Sequence, residues 1–393
     1  MTEFVWKRYE FDFYEKNFDF EVHELIDFLH PGFRENYGKT FNKDKILSFN
    51  NFSDWKKYLE KILFDVRKKK IKLITFAELT NYPSGGDNIK YLSVYRFLKK
   101  NKMPYLQILA PGYPLILSGK KKYFRSFYFF RNLRYIILIL KSLFFQKLRI
   151  FFNYKPRSIL IAGKFYKDQA KKNKIFKKIN LVNFNCWEYS STINRDQDVE
   201  KNLVNGKYAV FLNMQGPMKK EDTLLFKTKM PETIGEYYPL LNRFFSNIEK
   251  IFNLKVIIAS HPKSLENGKL DYLGNRQAFC NKTQALVRNC EFVISRNSTS
   301  LNYSIIYKKP MFFIYSNQSK KNYRTLYQIK SIAKMLKTDA ININDEFNTE
   351  YIKSLIKFDI DAYKNYEENY LTSNSSNKNY SIIINETKNI LGI

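Results

Sequence analysis

A chain of 393 residues is too long for one small core and fits two domains of ordinary size, and 44% hydrophobic content with 17% aromatics excludes global disorder. Its net charge of +30 is built from 52 Lys against 15 Arg beside abundant Asn, Ile, Phe and Tyr, which fits AT-rich codon bias as well as selection for an anionic partner. The sequence has no C2H2 spacing, RRM-type signature or Arg-rich tract, so no nucleic-acid partner is expected; any selection suits an anionic membrane surface or a phosphate-bearing substrate better.

Cys186, Cys280 and Cys290 have no CxxC spacing. They point to neither a disulfide framework nor a zinc site, and read as core residues in a reducing compartment. The opening MTEFVWKRYEFDFYEKN is charged throughout, unlike a signal peptide. No run of about 18 apolar residues exists. A cytoplasmic location is expected.

In chain order, residues 4–17 read as a helix and Phe18–His23 as a short strand. Residues 54–69 carry apolar positions at helical spacing, with Asp54 as N-cap. IKLITFAEL reads as a buried strand, NYPSGGDN as a loop broken by Pro and Gly, YLSVYRFLKKN as a helix and YLQILA as a further strand. Strand, helix and strand in this order predict a parallel α/β sheet. Residues 121–153 interleave bulky apolar residues with Arg125, Arg131, Arg134, Lys141, Lys147 and Arg149. That pattern fits a helix lying in a membrane interface, and equally a helical pair packed on the sheet with its cations solvated. SILIAGK is another strand, and 177–203 reads as the crossover out of the first domain.

YAVFLNM opens a second domain, followed by the loop GPMKKED and a long helix over 231–253 with Tyr238, Leu241, Phe245, Ile248 and Phe252 on one face. VIIASHP, a variable loop, a TQALVRNC helix, FVISRNSTS, an SLNYSIIYK helix and MFFIY then give a βαβαβ series. The expected domains are 1–200, 201–345 and a helical tail over 346–393 that packs back on them; LTSNSSNKN within the tail reads as a low-complexity polar loop.

In an open parallel sheet, ligands sit beyond the carboxyl ends of the strands. His261, Ser298, Thr299 and Ser300 fall at such ends. Pro262 holds His261 extended, from where an imidazole can donate to a phosphate or protonate a phosphate leaving group. The alternative is a histidine that caps a loop. Asn297-Ser298-Thr299-Ser300 lies between strand and helix, where hydroxyls and backbone N–H groups suit a phosphate without a metal; simple capping would need only one of the hydroxyls. Glu78 and Asp87 flank and occupy the first Gly-containing loop, and Glu221 and Asp222 follow the YAVFLNM strand. Any of these carboxylates can serve as a general base or be a solvated charge.

FLNMQGP, the EYYPLLNRFFSNIE helix, IIASHPK, TQALVRNCEFVISRNSTSLNYSIIYKKP and FFIY, in this order, resemble bacterial surface-carbohydrate glycosyltransferases of the two-Rossmann GT-B architecture. Within them the chain looks most similar to enzymes that handle CMP-activated acidic sugars, the sialyl-, pseudaminyl- and Kdo-transferases. The resemblance covers about 205–320 well and the first domain loosely. It implies two Rossmann-like domains facing a cleft, with inverting, metal-independent transfer of an acidic sugar from a CMP donor to a glycan or lipid-linked acceptor. It also implies no cofactor; the anionic inner-membrane surface is the further partner that the charge and residues 121–153 suggest. His261-Pro262 and Ser298 with Thr299 or Ser300 would hold the cytidine monophosphate, with Asn297 beside them, and His261 would assist its departure. The base would be Asp222, Glu78 or Asp87. Two departures stand out. Relatives end the YAVFLN strand in an acid where this chain has Asn213, and the chain opens on a helix, which implies a first domain without its initial strand. A UDP-sugar donor, or a non-catalytic protein that binds membranes or polyanions, are the other readings.

Overall fold

The structure, a computed structural model, describes residues 2–29, 41, 43–77, 89–114, 133–193, 203–214, 216–218, 232–262, 266–321, 323–346 and 348–393. Glu78, Asp87, Glu221, Asp222 and residues 121–132 lie outside them. Two compact units result. The first combines the described parts of 1–111, 117–187 and 372–393; the second combines those of 112–116 and 188–371. The tail therefore divides: residues 346–371 fold with the second unit and 372–393 with the first.

The first unit begins with α1 (Glu3–Arg8) and α2 (Phe11–Tyr14), which the sequence presents as one helix. Glu10 separates them because its backbone turns left-handed at φ 56°. β1 (Val22–Glu24), α3 (Ile26–Leu29) and β2 (Ile46–Ser48) follow, and β1 and β2 pair in parallel. The cap of α4 (Phe52–Lys68) is Asn51, not Asp54: the Asn51 side-chain oxygen accepts the Asp54 N–H at 2.9 Å. β3 (Thr75–Ala77), α5 (Ile89–Lys100), β4 (Tyr105–Leu109), α6 (Leu133–Phe151), β5 (Ser158–Ala162), α7 (Lys164–Lys172) and β6 (Asn180–Phe184) then build a parallel sheet in the order β3-β4-β5-β6. α4, α5 and α6 cover one face through Trp55, Leu59, Tyr95, Leu98 and Phe145. Because side chains alternate along a strand, Ile108, Leu160 and Phe184 face the other side, where Tyr14 of α2 and Ile382–Ile384 near the carboxyl end meet them.

β6 lies in the stretch that the sequence presents as a crossover. Asn180 and Asn183 are its exposed positions, so the strand reads as polar although Phe184 is fully buried. The polar stretch after Leu371 is likewise pinned rather than free. Thr372 donates to the Asn185 side chain at 2.6 Å, Asn379 donates to the Asn185 carbonyl at 2.9 Å, and the Ser373 hydroxyl donates to the Ile161 carbonyl at 2.8 Å.

Past α8 (Trp187–Thr192), the second unit runs β7 (Tyr208–Leu212), α9 (Ile234–Phe252), β8 (Lys255–Ser260), β9 (Gly268–Leu270), β10 (Arg276–Cys280), α10 (Thr283–Asn289), β11 (Val293–Ser295), α11 (Asn302–Ile306), β12 (Met311–Tyr315), α12 (Tyr323–Met335) and β13 (Ala340–Asn342). Two short helices, α13 (Thr349–Ser354) and α14 (Ile360–Tyr366), follow, and α15 (Asn379–Leu391) belongs to the first unit. The predicted face of α9 is buried at Tyr238, Leu241, Phe245 and Ile248; Phe252 packs at its margin, and Tyr237 and Phe244 join the core. The "variable loop" contains β9 and β10. β10 pairs in parallel with β8, and β9 adds an antiparallel edge. Sheet order is β13-β12-β11-β7-β8-β10-β9. All three cysteines are buried and unbridged.

Several helices of both units end in the same way. Lys70, Lys102, Lys308 and Lys337 have φ of 54°, 55°, 52° and 52°. In each case the next N–H reaches back to the carbonyl that closes a Schellman cap, as from Met103 to Leu98 at 2.9 Å and from Thr338 to Ala333 at 3.0 Å. Glycine normally fills this position, because a Cβ in the left-handed region costs roughly 1–2 kcal/mol. Lys102→Gly is therefore expected to raise stability in urea unfolding by about 1 kcal/mol. Lys61→Gly, at an exposed position inside α4, should lower it by about the same amount.

Candidate functional site

Numbered from its own first strand, and leaving β9 aside, the second sheet runs 6-5-4-1-2-3. The strand order reverses between β7 and β11. In this doubly wound topology the connections leave in opposite directions at that point and open a crevice beyond the carboxyl ends, where nucleotides bind. The chain segments at the reversal are Asn213–Met214 after β7 and Arg296–Ser300 after β11. His261 and Pro262 follow β8, the neighbour of β7 on its other side. The carboxyl ends of β8 and β11 are thus two strand spacings apart, about 10 Å, with Asn213 between them. That separation suits a ligand larger than one phosphate.

The individual residues divide between framework and accessible side chains. Ser298 is buried, and its hydroxyl accepts the Ser300 N–H at 3.2 Å, so it caps the short 3-10 turn Thr299–Leu301 that leads into α11. Asn297 accepts a hydrogen bond at its side-chain oxygen from the buried Tyr113 hydroxyl, whose pKa burial pushes up. Thr299 is exposed, and Ser300 and His261 are half-buried. Asn297 is half-buried as well, with its side-chain oxygen engaged by Tyr113. Ser260 and Ser295 are buried at the ends of β8 and β11, and their hydroxyls have no hydrogen-bond partner among the described residues. Buried polar groups seldom remain so.

Behind the loop stands a cluster that the sequence reading passed over. Arg296, buried, donates from Nη2 to a carboxylate oxygen of Glu232 and to the Ser319 hydroxyl at 3.1 Å, and from Nη1 to the Tyr237 hydroxyl at 3.2 Å. Ser319 donates onward to Glu232 at 2.7 Å, and its oxygen also accepts the Ser316 N–H at 3.0 Å. Burial acts to lower the Arg296 pKa, but the neighbouring Tyr237 and Glu232 outweigh it and hold the guanidinium charged. The cluster ties the end of β11 to the start of α9 and to the turn after β12. Gly216, at φ 43°, packs where a Cβ would come within 2.9 Å of the Tyr237 ring. One signal was legible: an Arg directly at the end of an apolar strand needs an acid if it is buried.

Asn213 is buried at the end of β7 and faces the Tyr272 hydroxyl, which donates to Glu266 at 2.6 Å. Among the described residues no group of three or more His, Cys, Asp or Glu is placed to hold a metal. The candidate bases Glu78, Asp87 and Asp222 fall outside the described residues.

Fold and site define an α/β protein with two parallel-sheet units, the second doubly wound. No family model matches the chain. No curated protein matches it either. Among solved structures, the wall teichoic acid polymerase TagF is similar over 98% of this chain and 85% of its own, at 9% identity and a TM-score of 0.49. The S. aureus MnaA-UDP co-structure is similar over 89% and 84%, at 12% identity and a TM-score of 0.45. The Methanocaldococcus jannaschii UDP-GlcNAc 2-epimerase in complex with UDP-GlcNAc and UDP is similar over 97% and 95%, at 13% identity and a TM-score of 0.44.

Proposed function

We propose that the chain is a nucleotide-sugar-dependent glycosyltransferase whose second unit holds the donor. The observation that carries this reading is the strand reversal between β7 and β11, with His261, Thr299 and Ser300 as the accessible polar side chains around it. In this reading the Thr299 and Ser300 hydroxyls bind the donor phosphate, Ser298 and Asn297 hold the loop that presents them, and His261 stabilises or protonates the phosphate as it leaves. Transfer inverts the anomeric carbon and uses no metal, with positioned donors stabilising the departing charge. An acidic sugar on CMP is the favoured donor, and a glycan or lipid-linked saccharide the acceptor.

Switch-point geometry recognises phosphate rather than base, so the test carries two arms. Calorimetric titration with CMP and with UDP should give saturable binding of one of them, and the matching nucleotide sugars should release that nucleotide on incubation with acceptor lipid extract. Tight UDP binding without CMP binding would replace the donor and keep the class. Binding of neither nucleotide would remove the transferase reading and leave the non-catalytic one.

A further inference from the structure

We propose that the outward face of α6, together with the basic end at which α4, α5 and α6 terminate, is a docking surface for an anionic lipid bilayer. Along α6, Ile137, Leu140, Phe144 and Phe151 recur at 3, 4 and 7 residue steps, which places them on one side of the helix. They are 42%, 59%, 58% and 78% exposed, whereas Phe145 and Arg149 point inward and are buried. The stripe runs for about 21 Å.

Its carboxyl end merges with a dense patch of positive charge. β3, β4 and β5 are parallel neighbours, so the helices that feed them finish side by side. Lys99 at the end of α5 donates to the Phe152 carbonyl just past α6 at 2.8 Å, and Arg67 of α4 approaches the Asn101 side chain at 3.4 Å. RKKKIK at 67–72, KKNK at 99–102 and KPR at 155–157 therefore share one edge of the unit, and their cations are exposed. Lys72 is occupied in part by the last carbonyls of α15.

Charge and apolar surface together choose the occupant. A second copy of the chain would bring basic surface against basic surface. A nucleic acid would neutralise the lysines but leave Leu140, Phe144 and Phe151 in water. A bilayer with anionic headgroups satisfies both, with the apolar side chains entering the acyl boundary and the lysines on the headgroups. The contact is peripheral, since no helix among the described residues is long and apolar enough to cross a membrane. It stands whether or not the transferase reading holds, because lipid binding is read without donor or acceptor.

The test is co-sedimentation of the full chain with vesicles of phosphatidylcholine alone or with 30% phosphatidylserine. Binding should require the anionic lipid. Lys68→Glu/Lys69→Glu/Lys100→Glu should weaken it about 100-fold, since each basic group near the surface is worth about fivefold. Leu140→Ser/Phe144→Ser should weaken it at least tenfold at unchanged net charge, and Lys250→Glu/Lys334→Glu in the second unit should change it less than twofold. Equal binding to neutral vesicles, an equal loss in the second-unit variant, or full retention by the serine variant would each overturn the proposal. Retention by the serine variant with displacement by heparin would assign the patch to a polyanion, and loss of a solution dimer in that variant without any vesicle binding would assign it to a second copy.

Discussion

Arg296→Ala is expected to destabilise the second unit by about 3–5 kcal/mol, because it leaves the Glu232 carboxylate buried with its guanidinium partner gone. Glu232→Ala should cost a similar amount for the converse reason. The cost of each single change exceeds the net worth of the pair, since a buried ion pair spends most of its attraction on desolvation. The double variant Arg296→Met/Glu232→Leu should therefore unfold in urea closer to wild type than either single alanine variant. Additive losses would mean that the two residues act separately. A functional consequence follows: Arg296 adjoins Asn297–Ser300, so a variant that folds should bind nucleotide more weakly even though Arg296 itself is buried behind the loop. Unchanged nucleotide affinity in a folded Arg296 variant would show that the cluster serves stability alone.

His261→Ala is expected to lower nucleotide release from the donor sugar by about 100-fold or more, the usual range for loss of a positioned acid–base group, while nucleotide affinity falls far less. A role confined to holding the β8 loop predicts the reverse, with lost stability and little change in turnover per folded molecule. The contrast with Ser298 sharpens the assignment. Because Ser298 caps the turn at Thr299–Leu301, Ser298→Ala should cost about 1 kcal/mol of stability and alter turnover mainly through the loop. Thr299→Ala and Ser300→Ala remove accessible hydroxyls and should raise the KM for the donor. Release of nucleotide at wild-type rates by His261→Ala would sink the leaving-group role.

The strands of the second unit were legible because they are buried on both faces and so form unbroken apolar runs: YAVFL, VIIAS and MFFIY all lie within the observed sheet. Where a strand is half exposed that signal fails. β6 shows asparagine to solvent, and the short edge strand β9 and its partly exposed neighbour β10 lie inside what reads as a loop. Local pattern also missed the break at Glu10 and the true cap of α4, since both depend on which of several polar residues the backbone uses. The membrane-like character of 121–153 was visible in composition. Its division into an outward stripe and an inward Phe145 and Arg149 was not, because both kinds of position hold bulky or basic residues.

By itself the sequence determined the α/β class, the positions of the main strands, and the placing of His261 and Ser298–Ser300 just past strand ends, since hydrophobic periodicity and Pro or small-residue punctuation are local properties of the chain. Tertiary structure alone decided which strand ends are neighbours. The reversal between β7 and β11 separates β8 and β11 by one strand and puts Asn213 between them. It also turns Ser298 and Asn297 into framework and leaves Thr299, Ser300 and His261 accessible. Burial made Arg296 and Glu232 a pair across 64 residues, because a charge taken out of water must find its partner in space rather than in sequence.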